Sequence, residues 1–287
     1  MHPIAFYIGS VAIHWYGIMV ALGFVLGFWT ASRRCLLDNL PGEAVADLIP
    51  WLVIAGLVGA RLLFVIDYWD EEFRDATWWD IINIRRGGLV FHGGLILAAL
   101  ASVAYAHWRK LPLWKLADAL APSIALGHAF GRIGCFLNGC CYGATCSLPW
   151  AVHFPAGHPT APHGVHPTEL YEAALNFALY AALAWQYRRK RFPGQTFVLY
   201  LMSYGVLRFG VEFFRGDYPV HYFGWATIGQ LVSVGVLLAG VILWAMLRRQ
   251  TPAPAPPESS AAEKSPKNAE NTAKSAKQKS SRPPRRK

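Results

Sequence analysis

Charge is what this sequence has least of. Only 15% of its 287 residues are Asp, Glu, Lys or Arg, against about 25% in an ordinary soluble domain. A soluble surface needs those side chains, so the shortage argues against a water-soluble globular chain. A removable signal pattern is also missing. The first ten residues carry no basic start, and no small-residue cleavage site follows the first apolar run, so that run is expected to stay as a membrane helix. No internal repeat is visible, which weighs against an inverted-repeat transporter. The glycine-rich phosphate loop of the soluble nucleotide hydrolases is absent.

Cysteine is scarce too, with five in the chain. Four of them are Cys135, Cys140, Cys141 and Cys146, in a spacing unlike the usual zinc motifs. No metal site is therefore expected, although His153, His158, His163 and His166 follow closely. A structural disulfide among Cys140, Cys141 and Cys146 is expected instead. Cys35 has no evident partner.

What the chain does have is long apolar stretches. Seven runs of about 20 residues fall near 10–31, 44–66, 89–108, 115–136, 167–187, 195–214 and 225–247, each long enough to cross a bilayer. Twelve Trp and twelve Tyr fit aromatic belts at the two membrane interfaces. The expected fold is all-α: a polytopic integral membrane protein of seven transmembrane helices.

Positive charge orients the spans. Arg33 and Arg34, Arg109, Lys110 and Lys115, Arg188 to Arg191, and Arg248 and Arg249 fall on one side if the amino terminus is outside. Arg85 and Arg86 dissent. The majority places the amino terminus outside and the carboxyl terminus in the cytoplasm. Residues 251–287 carry nine Lys or Arg and three Glu, with no aromatic residue. That segment is expected to be a disordered basic cytoplasmic tail beyond a membrane domain of residues 1–250, with no nucleic-acid partner.

Polar groups at membrane depth single out candidate functional residues. Gly127 to Gly143 puts Arg132 at the end of an apolar segment and follows it with Asn138, thiols and glycines. Tyr204, Arg208 and Glu212 recur every fourth residue, so they share one helix face. Arg208–Glu212 is either a packing pair or part of a site. His166-Pro167-Thr168-Glu169-Leu170-Tyr171-Glu172 reads as a well-made helix start. Glu172 lies deeper and needs a cation, which Arg132 or Arg208 supplies. His92 sits among glycines that permit close backbone approach. Arg61 and Tyr16 lie near span ends, where snorkelling or interfacial packing is the plainer reading.

Those residues, taken in order, resemble the bacterial phosphatidylglycerol–prolipoprotein diacylglyceryl transferases along nearly all of 10–249. The matching pieces are His14-Trp15-Tyr16-Gly17, Gly59-Ala60-Arg61 and Gly88-Leu89-Val90-Phe91-His92-Gly93-Gly94. They continue with Gly131-Arg132-Ile133-Gly134, Phe136-Leu137-Asn138-Gly139 and Gly143. The last are His166 to Glu172, Tyr204 to Phe209 and Glu212-Phe213-Phe214-Arg215. Two positions depart from the family signature: Cys135 stands where the family has Asn, and Cys140 where it has Glu.

The resemblance implies transfer of a diacylglyceryl group from phosphatidylglycerol to the lipobox cysteine thiol of a prolipoprotein, giving a thioether and glycerol 1-phosphate. The implied catalytic residues are His92, Arg132, Arg208, Tyr16 and Tyr204, with His92 as base. The implied lipid-binding residues are Arg132, Arg208, Asn138, Gly143, Glu172, Glu212, Arg61 and His166. Neither a metal nor an organic cofactor is called for. The expected setting is the bacterial cytoplasmic membrane, as a monomer, with the site toward the outer side. The competing readings are a small-anion transporter and a metal-dependent membrane hydrolase.

Overall fold

The structure is a computed structural model and describes residues 3–74, 76–84, 87–216 and 226–250. Arg85, Arg86, Trp225 and the basic segment 251–287 lie outside the described residues.

The chain opens with a hairpin, β1 (Ile4–Ile8) and β2 (Val11–His14), paired antiparallel. The apolar run expected to be helical from residue 10 thus begins as a strand. The signal was there: β-branched and aromatic residues flank Gly9-Ser10, and Gly9 takes the left-handed φ of 61° that a two-residue turn favours. The helix α1 (Trp15–Leu37) follows directly.

Next come α2 (Ala44–Asp67), a π-helical turn at Trp69–Phe73 and the short α3 (Trp78–Ile82). The long helices α4 (Phe91–Trp108), α5 (Leu113–Asn138), α6 (Thr168–Tyr187), α7 (Gln195–Glu212) and α8 (Ile228–Gln250) complete the order. Each predicted span corresponds to one long helix within a few residues.

The fold is mostly helical. Among the described residues, α1, α2, α4, α5 and α8 are long and apolar enough to cross a membrane. Their outward faces are apolar as well: Val25 and Trp29 on α1, Ile54 and Ile66 on α2, and Leu238 and Ile242 on α8 are all exposed. In water such a surface would be an aggregation liability, whereas in lipid it is the expected exterior. The helices α6 and α7 are long but carry buried polar residues, among them Glu169, Glu172, Asn176, Gln195, Thr196 and Glu212. Those polar faces belong inside the bundle.

Packing is centred on α5, which meets α1, α6 and α7. The helices α2 and α4 pair through glycine. A Cβ on Gly59 would lie 2.4 Å from the Gly93 carbonyl oxygen, and one on Gly93 only 2.3 Å from that of Gly59. The two backbones touch there, which is the small-residue route to tight helix contact in lipid.

Candidate active site

One end of the bundle collects the ionisable residues. The last turns of α5 supply His128 and Arg132, the first turns of α6 supply Glu169 and Glu172, and the last turns of α7 supply Tyr204, Arg208 and Glu212.

Glu172 is the hub. Its Oε2 lies 3.1 Å from Arg132 Nε, and its Oε1 lies 3.1 Å from His128 Nε2. The same Arg132 Nε is 3.2 Å from His128 Nε2. In that contact Arg132 Nε donates and His128 Nε2 accepts, so both groups stand against Glu172 as close charge contacts, and Oε1 has no aligned hydrogen bond among the described residues. Of the two cations available to Glu172, Arg132 is the one in contact. His128 is one helical turn before Arg132, so the pair shares a face of α5. The His128 ring also lies 5.3 Å from that of Tyr204.

Arg208 and Glu212 repeat the arrangement on α7. Arg208 Nη1 is 2.7 Å from Glu212 Oε2, a charge contact rather than an aligned hydrogen bond. Thr227 donates its hydroxyl to Glu212 Oε1 at 2.7 Å, and Arg215 Nε stands 4.0 Å from Oε2.

In both pairs the acid is behind and the base in front. The Glu172 and Glu212 side chains are 2% and 1% exposed, while Arg132 and Arg208 are 16% and 14% exposed. Arg132 meets its partners through Nε and Arg208 through Nη1. Both guanidiniums are partly exposed cations at one end of the bundle, each backed by a buried carboxylate.

A cavity of about 650 Å³ lies beside this cluster, lined in part by Tyr16, Asn138, Cys135, Cys140 and Cys141. Tyr16 comes from the first turn of α1, and a Cβ on Gly134 would be 3.0 Å from its ring. The helix α5 ends on Gly139 at φ 76°, and Cys140 N then bonds back to Cys135 O at 3.1 Å, a glycine-capped helix end. This fold-back gathers three sulfurs, those of Cys135, Cys140 and Cys141, within 4.8 Å of one another.

The expected disulfide among Cys140, Cys141 and Cys146 is not formed here: all five cysteines are free. Cys146 is drawn elsewhere, its N–H bonded to Gly164 O at 2.9 Å, while Cys135 takes its place in the cluster. Hydrogen bonds from Cys135 and Cys140, with the Arg132 and Arg215 charges nearby, hold the Cys141 thiol below the usual thiol range.

Other sequence candidates have different surroundings. Gly143 is a clasp where three segments cross. Its N–H bonds His166 O at 3.0 Å, and a Cβ there would sit 2.5 Å from that oxygen and 2.7 Å from Phe214 O. His166 packs against Phe214 and has Nδ1 3.4 Å from the Tyr171 hydroxyl. Arg61 donates to four backbone carbonyls, those of Asp80, Ile81, Gly87 and Gly88, at 2.5 to 3.1 Å. It also lies over the rings of Phe64 and Phe73. His92, in the first turn of α4, is exposed and packs beside Phe91. It lies outside both the Glu172 cluster and the cavity lining.

Sequence reasoning passed over His128 and Thr227. For His128 the spacing to Arg132 was a usable sign. Nothing in sequence pairs Thr227 with Glu212.

A mostly helical bundle with several membrane-length apolar helices and two carboxylate-backed arginines at one end defines a membrane protein with charge gathered in its interior. The family model described as "Prolipoprotein diacylglyceryl transferase" matches residues 3–246, and the chain belongs to that family. Similar proteins carry the name phosphatidylglycerol–prolipoprotein diacylglyceryl transferase. The one from Finegoldia magna is 37% identical over 251 residues, covering 87% of this chain and 97% of that protein. Those from Chromohalobacter salexigens and Nitratidesulfovibrio vulgaris are 36% and 37% identical over 86% and 88% of this chain, and over 93% and 96% of their own lengths.

Proposed function

We propose that this chain transfers the diacylglyceryl group of phosphatidylglycerol to the lipobox cysteine thiol of a prolipoprotein, the first step of lipoprotein maturation. The observation that carries the chemistry is the pair of partly exposed arginines, each held from behind by a buried carboxylate. Arg132 and Arg208 grip the phosphate and stabilise the charge that grows on it as the bond from the sp3 glyceryl carbon to the phosphate oxygen breaks. The acceptor sulfur forms the new carbon–sulfur bond, and glycerol 1-phosphate leaves. An acceptor thiol with an ordinary pKa near about 8.5 is mostly protonated at neutral pH, so a base is needed; the resemblance gives that role to His92, which meets the thiol at the entrance of α4, apart from the arginines. Tyr16, Tyr204 and Asn138 position the reactants, while Glu172 and Glu212 orient the arginines. Arg61, Gly143 and His166 shape the backbone around the lipid.

In this reading α6 and α7 also span the membrane, with their polar faces against α5. That makes seven spans, with the amino terminus outside and the site toward the outer side of the bacterial cytoplasmic membrane. The enzyme acts as a monomer, and residues 251–287 form a cytoplasmic tail outside the catalytic domain.

The deciding experiment is complementation of a strain depleted of its own transferase. Expression of this chain should restore thioether-lipidated lipoprotein and growth. Stable, membrane-inserted protein that restores neither would overturn the proposal.

A further inference from the structure

Cys135 and Cys140 occupy positions where the family has Asn and Glu, and the transfer reaction gives neither thiol a task. We propose that Cys135, Cys140 and Cys141 form a three-thiolate site for one soft divalent cation of the zinc class, with a fourth coordination position opening on the cavity.

The three sulfurs already lie within 4.8 Å of one another. Tetrahedral zinc with Zn–S bonds of about 2.3 Å needs sulfurs about 3.8 Å apart, so small side-chain rotations close the set. The backbone is built to hold it. Gly139 reverses the chain at the end of α5, and the Cys140 N–H bonds Cys135 O. Among the described residues, Cys141 is one of three non-glycine residues with a left-handed φ, 71°. That conformation is sparsely populated for a residue with a side chain, and such outliers cluster at functional sites. It is held from outside the loop by the Thr168 hydroxyl, which donates to Cys141 O at 3.1 Å.

The surroundings suit the charge. Three thiolates around a dication leave one net negative charge, and Arg132 stands one helical turn before Cys135 on α5. Asn138 places Nδ2 3.8 Å from Cys140 Sγ, in the manner of an outer-shell donor to a coordinating sulfur. All three cysteines line the cavity, so the fourth position faces open space. Three protein ligands with one open position is the arrangement of reactive rather than purely structural zinc centres. On binding, each thiol gives its proton to solvent, the cation takes three sulfur lone pairs, and no electron changes hands.

The site stands apart from the transfer reading, because its readouts are metal content and thiol labelling. Full-length protein in detergent, purified with reductant and chelator and then freed of chelator, would be titrated with Zn2+ alone. We expect about one zinc per chain. Co2+ in its place should give near-ultraviolet sulfur-to-cobalt absorption. Cys140→Ser and Cys141→Ser should each lower retained zinc roughly tenfold or more, and Cys146→Ser should leave it unchanged. Maleimide labelling of the unsubstituted protein needs no variant to fold: zinc should protect Cys135, Cys140 and Cys141 but not Cys146. Failure to retain zinc, retention that survives both substitutions, or unchanged labelling would overturn the proposal. So would a disulfide among the three in protein alkylated within intact membranes.

Discussion

The two ends of α5, α6 and α7 both carry buried charge, and they treat it differently. At the end opposite the site, Asp118 of α5 is fully buried and each oxygen is met by aligned donors. It accepts from the N–H groups of Gly194 and Phe197 at 2.8 and 3.0 Å, and Lys190 Nζ is 3.3 Å away. The helix α7 lacks a side-chain cap of its own at Gly194. Asp118 therefore caps it from a neighbouring helix, satisfying N–H groups that would otherwise be orphaned. Asp38 closes the network by accepting from Lys190 and from the Tyr187 hydroxyl.

At the site end, Glu169, Glu172, Asn176, Arg208 and Glu212 each keep at least one side-chain polar atom without an aligned hydrogen bond among the described residues. Unpartnered polar atoms are costly in low dielectric. The Asp118 carboxylate, by contrast, has an aligned donor on each oxygen. The contrast separates a brace from a site using the same residue types on the same three helices.

The largest effect that would sharpen the contrast is on Arg132. Arg132→Lys keeps the charge but loses the planar fork, and should lower transfer about 10²–10³-fold with little change in thermal unfolding. Full activity with a synthetic lipobox peptide would remove the distinction between the ends. His92→Gln is expected to lower transfer about a hundredfold and to flatten the pH dependence of the rate, as loss of a base does. His128→Gln should reduce transfer less and leave the pH profile in place, because His128 touches Glu172 and Arg132 rather than the thiol. A reversed outcome would move the base from the entrance of α4 into the Glu172 cluster.

Asp118→Ala should do the opposite of Arg132→Lys. Removing one partner of a buried charged network costs about 3–5 kcal/mol of stability, read as earlier thermal unfolding in detergent. Transfer per folded molecule should be unchanged. Lost turnover in a sample that unfolds normally would make the far end part of the catalytic device.

How far this was legible in the sequence follows from the same comparison. The Arg208–Glu212 contact is local, one helical turn on α7, and periodicity alone placed both residues on one face. Glu172 needed a cation on physical grounds, and Arg132 was one of two named. The long helices were legible because a bilayer demands long apolar runs. Asp118 was not singled out, because its partners Gly194 and Phe197 are 76 and 79 residues away and backbone N–H groups leave no mark in a sequence. The thiol cluster was hidden for another reason. Spacing rules assume that neighbouring cysteines act together, whereas the Gly139 cap folds Cys140 and Cys141 back onto Cys135 and sends Cys146 away. The opening hairpin was lost to hydropathy, since a strand and a helix entry are equally apolar there.

Arg61 supplies the smallest expected effect and a third way of treating a half-buried cation. It lies near the end of α2 without a carboxylate partner among its hydrogen bonds, which go to four carbonyls of 80–88. Two aromatic rings face the guanidinium at 5.2 and 5.4 Å, a further attraction for a planar cation. Its Nε, Nη1 and Nη2 groups all have acceptors, whereas Arg132 and Arg208 each face a buried carboxylate. Lysine, with a single ammonium on a flexible stem, cannot reach four carbonyls at once. Arg61→Lys should therefore cost about 1–3 kcal/mol of stability and loosen the loop that leads into α4. KM for lipid should rise severalfold at most, because Arg61 touches neither the Glu172 cluster nor the cavity lining. A loss in kcat as large as that of Arg132→Lys, with unchanged thermal unfolding, would show that Arg61 turns toward the lipid during the reaction.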